Sequence, residues 1–157
     1  MQLNPALLAA AAVLATPAAA LAQPDAAAIW QVFPRDGGET HLSYGVPETD
    51  NVAVGLTCRA HARTIRVGVT LDNAGSHREG STWQTTIALR SGAARGSWSG
   101  RATYGEIGVQ ADANVPANHP VLRAFAASGQ LGSGGETWRA RSAAERRAIS
   151  RFFAACR

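Results

Sequence analysis

The last ten residues read Ala148-Ile-Ser-Arg-Phe-Phe-Ala-Ala-Cys-Arg157. Ile149, Phe152, Phe153 and Cys156 stand at i, i+3, i+4 and i+7, which is one face of a helix. Arg146, Arg147 and Arg151 fall on the opposite face. Upstream, Ser142-Ala-Ala-Glu145 fits a capping box, in which the Ser hydroxyl accepts from an orphan amide and the Glu carboxylate reaches back. Arg157 then sits at the negative end of the helix dipole. The sequence therefore predicts a terminal helix that carries a thiol on its buried stripe.

Only one other cysteine is available, Cys58, at the end of Val52-Ala-Val-Gly-Leu-Thr-Cys58. Here the period is two: Val52, Val54, Leu56 and Cys58 point one way, and Ala53, Gly55 and Thr57 the other. That is a strand with its thiol on the apolar face. The chain also opens with Leu7–Ala15, a short apolar run, followed by Ala20-Leu-Ala22, a small-x-small cleavage pattern. Residues 1–22 are thus expected to be a secretory signal peptide, although no Lys or Arg precedes the run. No cysteine follows the cleavage pattern and no Arg-Arg pair precedes it, so neither lipidation nor the twin-arginine route is indicated. Export supplies an oxidising compartment, where an even cysteine count favours a bridge. The expectation is a Cys58–Cys156 disulfide stapling the last helix to the sheet. Closing a loop of roughly 100 residues stabilises by about 4–5 kcal/mol in the chain-entropy model.

Ahead of Cys58 and between the two cysteines the chain reads mostly as strands. Ile29–Pro34 and Thr40–Val46 flank Arg35-Asp-Gly-Gly38, a hairpin turn. In Thr64–Leu71, Ile65, Val67, Val69 and Leu71 alternate with Thr64, Arg66, Gly68 and Thr70. Asp72–Ser81 is a polar loop; Trp83, Thr85, Ile87 and Leu89 make the next inner face, and Gly96–Gly105 and Ile107–Ala111 follow. The pattern then turns helical, with Pro120 at a first helical position, Val121, Leu122 and Phe125 on one face, and Gly129 as a left-handed stop. A weak strand, Glu136–Ala140, leads to the last helix. The expected fold is a single α+β domain over residues 23–157. It is an antiparallel meander of six or seven strands, a sandwich or partly closed barrel, with one short helix and a C-terminal helix packed on the sheet.

Residue types exclude several chemistries. All 15 basic residues are Arg, against 11 acidic ones, for a net charge of +4. Without Lys there is no P-loop lysine, Schiff base or Ser-Lys dyad. Gly96-Ser-Trp-Ser-Gly100 has Trp at its centre and is no nucleophile elbow. His41, His61, His77 and His119 are scattered without metal-ligand spacing, and His77-Arg-Glu79 lacks the cysteine pair of a zinc deaminase. No cofactor or metal is expected. Glu48 and Asp50, with Asp72 or Asp112, are the carboxylates that glycan hydrolysis would need, but acidic turn residues are commoner.

Two surface readings remain. Trp30, Trp83, Trp98, Tyr104 and Trp138 could form a stacking row, though strand alternation favours core positions. Arg139, Arg141, Arg146, Arg147 and Arg151, with Trp138, form the expected partner-binding set, for an acidic protein or an anionic envelope component such as a glycan or lipopolysaccharide. The alternative is a solvated helix face. Export makes nucleic acid an implausible partner, and a monomer is expected.

The pattern over Asn118–Arg157, a short helix ending in Gly, a strand and a last helix, resembles the C-terminal part of the invasion-associated locus B family. That resemblance implies a small exported bacterial protein with disulfides and no established enzymatic chemistry, although that family's extra cysteines are missing here. The reading from sequence is an exported, periplasmic or secreted, non-catalytic binding module. Its alternatives are a small-molecule or lipid carrier with an apolar cavity and, behind it, a carboxylate-dependent envelope hydrolase.

Overall fold

The computed structural model describes residues 27–71 and 75–157. The expected signal peptide, 1–22, and Asp72 lie outside the described residues. The first seven strands are β1 (Ile29–Arg35), β2 (Glu39–Gly45), β3 (Val52–Arg59), β4 (Thr64–Leu71), β5 (Thr82–Ser91), β6 (Ala94–Gly105) and β7 (Gly108–Pro116). Then come α1 (Pro120–Ser128), the hairpin β8 (Gln130–Ser133) and β9 (Glu136–Arg139), and α2 (Ala143–Ala155). All pairings are antiparallel, and the order is β1-β2-β3-β4-β7-β6-β5-β8-β9.

One expectation is corrected: the described residues form nine strands, not six or seven. They make one continuous sheet curled into a half-barrel, which is the partly closed barrel of the two expected architectures. The strand with no counterpart in the sequence pattern is β8, a four-residue segment between Gly129 and Gly134. Its extended form is set by pairing with the distant β5 and with β9, its hairpin partner. The single sheet arises because β4 pairs along its whole length with β7, which joins the first four strands to the β7-β6-β5 meander.

Alternation decides which face is covered. Val54, Leu56 and Cys58 of β3, Ile65, Val67 and Val69 of β4, and Val109, Ala111, Ala113 and Val115 of β7 are all buried. The helices lie against this inner face. α1 packs on β5, β6 and β8, while α2 leaves the β9 edge and returns to pack on β1 and β2 at the other edge. Trp30 of β1 sits between them, with ring centroids 4.8 Å from Phe125 and 5.3 Å from Tyr44. Phe125, Leu122, Phe152 and Ile149 are buried, each stabilising by about 1.5–3 kcal/mol. Among the described residues, two buried polar atoms, Trp30 Nε1 and Ser43 Oγ, have no hydrogen-bond partner, at a cost of about 1–3 kcal/mol each.

The helix ends follow the local sequence. Pro120 opens α1, the His119 side chain accepts from Val121 N–H, and Gly129 closes it with φ 69°. At α2 the capping box is complete, with Ser142 Oγ accepting from Glu145 N–H and the Glu145 carboxylate accepting from the Ser142 and Arg141 amides. Cys156 pairs with Cys58, Cα to Cα 5.7 Å, across a sequence separation of 98. The staple expected from the two periodicities is present.

Candidate functional site

The half of the sheet's outer face formed by β1, β2, β3, β4 and β7 carries a polar trough. Its register builds cross-strand rows. Phe33, His41, Thr57, Arg66 and Asn114 are successive partners in one row, and Ser43, Gly55, Gly68 and Asp112 in the next. In a sheet, such rows place side chains on a common face at one strand spacing, about 4.8 Å.

Two glycines make the second row a floor. Gly55 and Gly68 are register partners, so no side chain rises between β2 and β7 there. A Cβ on Gly55 would meet the His41 ring at 2.9 Å, and a Cβ on Gly68 would meet Asp112 Oδ1 at 2.9 Å. The imidazole from one side and the carboxylate from the other therefore lie down over adjacent glycines. The trough so formed has a volume of about 470 Å³, with Arg35, Arg66, Thr57, Asp50 and Gln110 among its walls. Phe33 and Ile107, 39 % and 58 % exposed, supply apolar flanks.

His41 Nδ1 is 2.8 Å from Thr57 Oγ1. Its pKa is lowered to about 4, chiefly by burial and then by the Arg35 and Arg66 charges, with Glu39 opposing. The imidazole is thus neutral at pH 7, and Nε2 remains as a hydrogen-bonding group. Among the described residues the single ion pair is Arg59–Glu39, so Arg35, Arg66, Asp50 and Asp112 have no ion-pair partner. The trough has unpaired charges of both signs. It can hold a polar ligand by charge-assisted hydrogen bonds, which are about twice as strong as neutral ones.

The residues singled out in the sequence are distributed as follows. Arg139, Arg141, Arg146, Arg147 and Arg151 are exposed, whereas Trp138 is 5 % exposed and belongs to the core. The aromatic row does not form: Trp30 and Trp138 are buried, and Trp83, Trp98 and Tyr104 are half-buried against the core. His77 stacks on Trp83 with centroids 3.7 Å apart, His119 meets Trp98 edge-on, and His61 occupies a left-handed turn position. Among the described residues no cluster of ligands suits a metal. Of the carboxylates, Asp50 and Asp112 both line the trough. Sequence reading missed His41, Thr57, Arg35 and Arg66 as a group. The available signal was strand parity, which sets Gly55, Thr57, Arg66 and Gly68 opposite the apolar side chains. No family model matches the chain, and no curated protein or solved structure matches it either.

Proposed function

We propose that this protein is an exported, non-catalytic binding module whose recognition site is the outer trough, and that its ligand is a short zwitterionic segment of peptide type. The observation that carries this reading is the set of four ion-pair-free charges of both signs around the Gly55–Gly68 floor. Arg35 and Arg66 would hold the ligand's carboxylate, and Asp112 with Asp50 its ammonium group. Arg66 and Asp112 are diagonal neighbours on β4 and β7, about 7–8 Å apart at Cα. Two extended residues span roughly 7 Å, which matches that separation. The apolar flanks Phe33 and Ile107 suit the side chains of such a peptide.

Export is supported by the intramolecular disulfide and by the apolar N-terminal sequence. The C-terminal resemblance to the invasion-associated locus B proteins is carried only as far as that exported setting. A carrier whose strands enclose an apolar cavity is disfavoured, because Trp30, Phe125 and Phe152 fill the inner face.

The test is an NMR titration with a free dipeptide and with its N-acetylated and C-amidated forms. Saturable shifts at Gly55, Gly68 and His41 are expected with the free dipeptide, and at least tenfold weaker binding after either block or in Arg66→Gln. Equal binding of all three forms, or shifts outside the trough, would overturn the reading.

A further inference from the structure

A second cleft opens on a different part of the molecule, where α1 and α2 diverge above the β3–β4 turn. Its volume is about 830 Å³. Leu122, Ala126 and Ala127 of α1 form one wall, Phe153 and the Cys156 end of α2 the other, with Ile65 below. Alanines leave the α1 wall low, and the buried stripe of each helix supplies the apolar surface. Arg123 and Arg157 stand at the rim with His61, and no Asp or Glu lines the cleft. Neither guanidinium is in an ion pair among the described residues.

An apolar slot with an unpaired cation, Arg123, at its rim is complementary to one kind of molecule, a flexible apolar chain ending in an anion. We infer that this cleft is a binding site for a single-chain anionic amphiphile of the fatty-acid class. The chain lies between Ala126 and Phe153, and its carboxylate is held by Arg123. Each methylene buried strengthens binding by about fourfold, so affinity rises with chain length. The charge at the rim selects anion over cation and weakens as salt screens it. The site is independent of the outer trough, since the two share no lining residue.

Calorimetric titration of the intact disulfide-bonded protein with decanoate, below its micellar concentration, tests the inference. Decyltrimethylammonium and octanoate serve as comparisons. Saturable one-to-one binding of decanoate is expected, weaker for octanoate and absent for the cationic amphiphile. Arg123→Glu should weaken decanoate binding at least tenfold. Ala127 is exposed, so Ala127→Trp can cover the cleft without entering the core, and should abolish binding at an unchanged melting temperature. Equal binding of the cationic amphiphile, retention of decanoate by Ala127→Trp, or no saturable binding would each overturn the site. Binding of an acidic peptide without decanoate binding would overturn it in favour of a protein partner.

Discussion

Thr57 Oγ1 lies 2.8 Å from His41 Nδ1, a hydrogen bond between cross-strand register partners that keeps the imidazole lying over Gly55. Burial of the ring and then the Arg35 and Arg66 charges lower its pKa to about 4, against the opposing Glu39 carboxylate. In the unfolded chain the same group titrates near ~6.5.

That difference sets a pH window. Between about pH 4 and 6.5 the unfolded state binds a proton that the folded state does not, so the folded state is destabilised as pH falls through this window. Above it both states are neutral and the penalty vanishes. Allowing for solvent screening of a half-exposed ring, the loss is about 1–2 kcal/mol. Urea midpoints at pH 7.5, 5.5 and 4 should therefore fall less steeply for His41→Gln than for the native chain. Parallel slopes would count against the linkage.

The staple between Cys58 and Cys156 closes a 98-residue separation onto the terminal helix. Cys156→Ser is expected to lose about 2–4 kcal/mol, against the ~5–10 kcal/mol typical of a small domain. Its melting temperature under oxidising conditions should equal that of the reduced native protein. A variant that melts with the oxidised native protein would show that α2 docks without the bridge.

Arg90 acts as a fork for the β8–β9 hairpin. Its guanidinium donates to Gly134 O, Glu136 O and Thr137 Oγ1, at 2.7 Å for the Glu136 carbonyl. A lysine carries the charge but cannot reproduce a planar fork. Arg90→Lys should cost about 1–2 kcal/mol and speed hydrogen exchange in residues 130–139 more than elsewhere. Uniform acceleration across the sheet would refute a local role.

At the start of α2, Ser142 and Glu145 satisfy the first amides reciprocally, and Glu145 is 4 % exposed. Ser142→Ala is expected to cost about 1 kcal/mol. Glu145→Ala removes the acceptor for both the Arg141 and Ser142 amides and should cost more than Ser142→Ala. Thermal denaturation followed by helical circular dichroism ranks the two; the opposite order would contradict the cap geometry.

Much of this architecture is readable along the chain, because it depends on short-range relations. The Ser142/Glu145 box, Pro120 and Gly129 act within one helical turn, and the faces carrying Cys58 and Cys156 are set by periods of two and 3.6. β8 was not readable, since Gln130-Leu-Gly-Ser133 has no alternation of its own and is extended only because β5 and β9 pair with it. Arg90 likewise looks like an ordinary strand residue; its acceptors lie 44 to 47 positions later.

The sequence by itself determined which residues face inward, where the helices begin and end, and which two thiols meet. Tertiary structure decided that β4 pairs with β7, and with it the register that sets Asp112 beside Gly68 and, through Gly55, opposite His41. The physical reason is range. Parity and capping are settled by neighbours in the chain, whereas register between strands distant in sequence is chosen by the packing of the whole inner face. The outer trough is the reverse side of that choice.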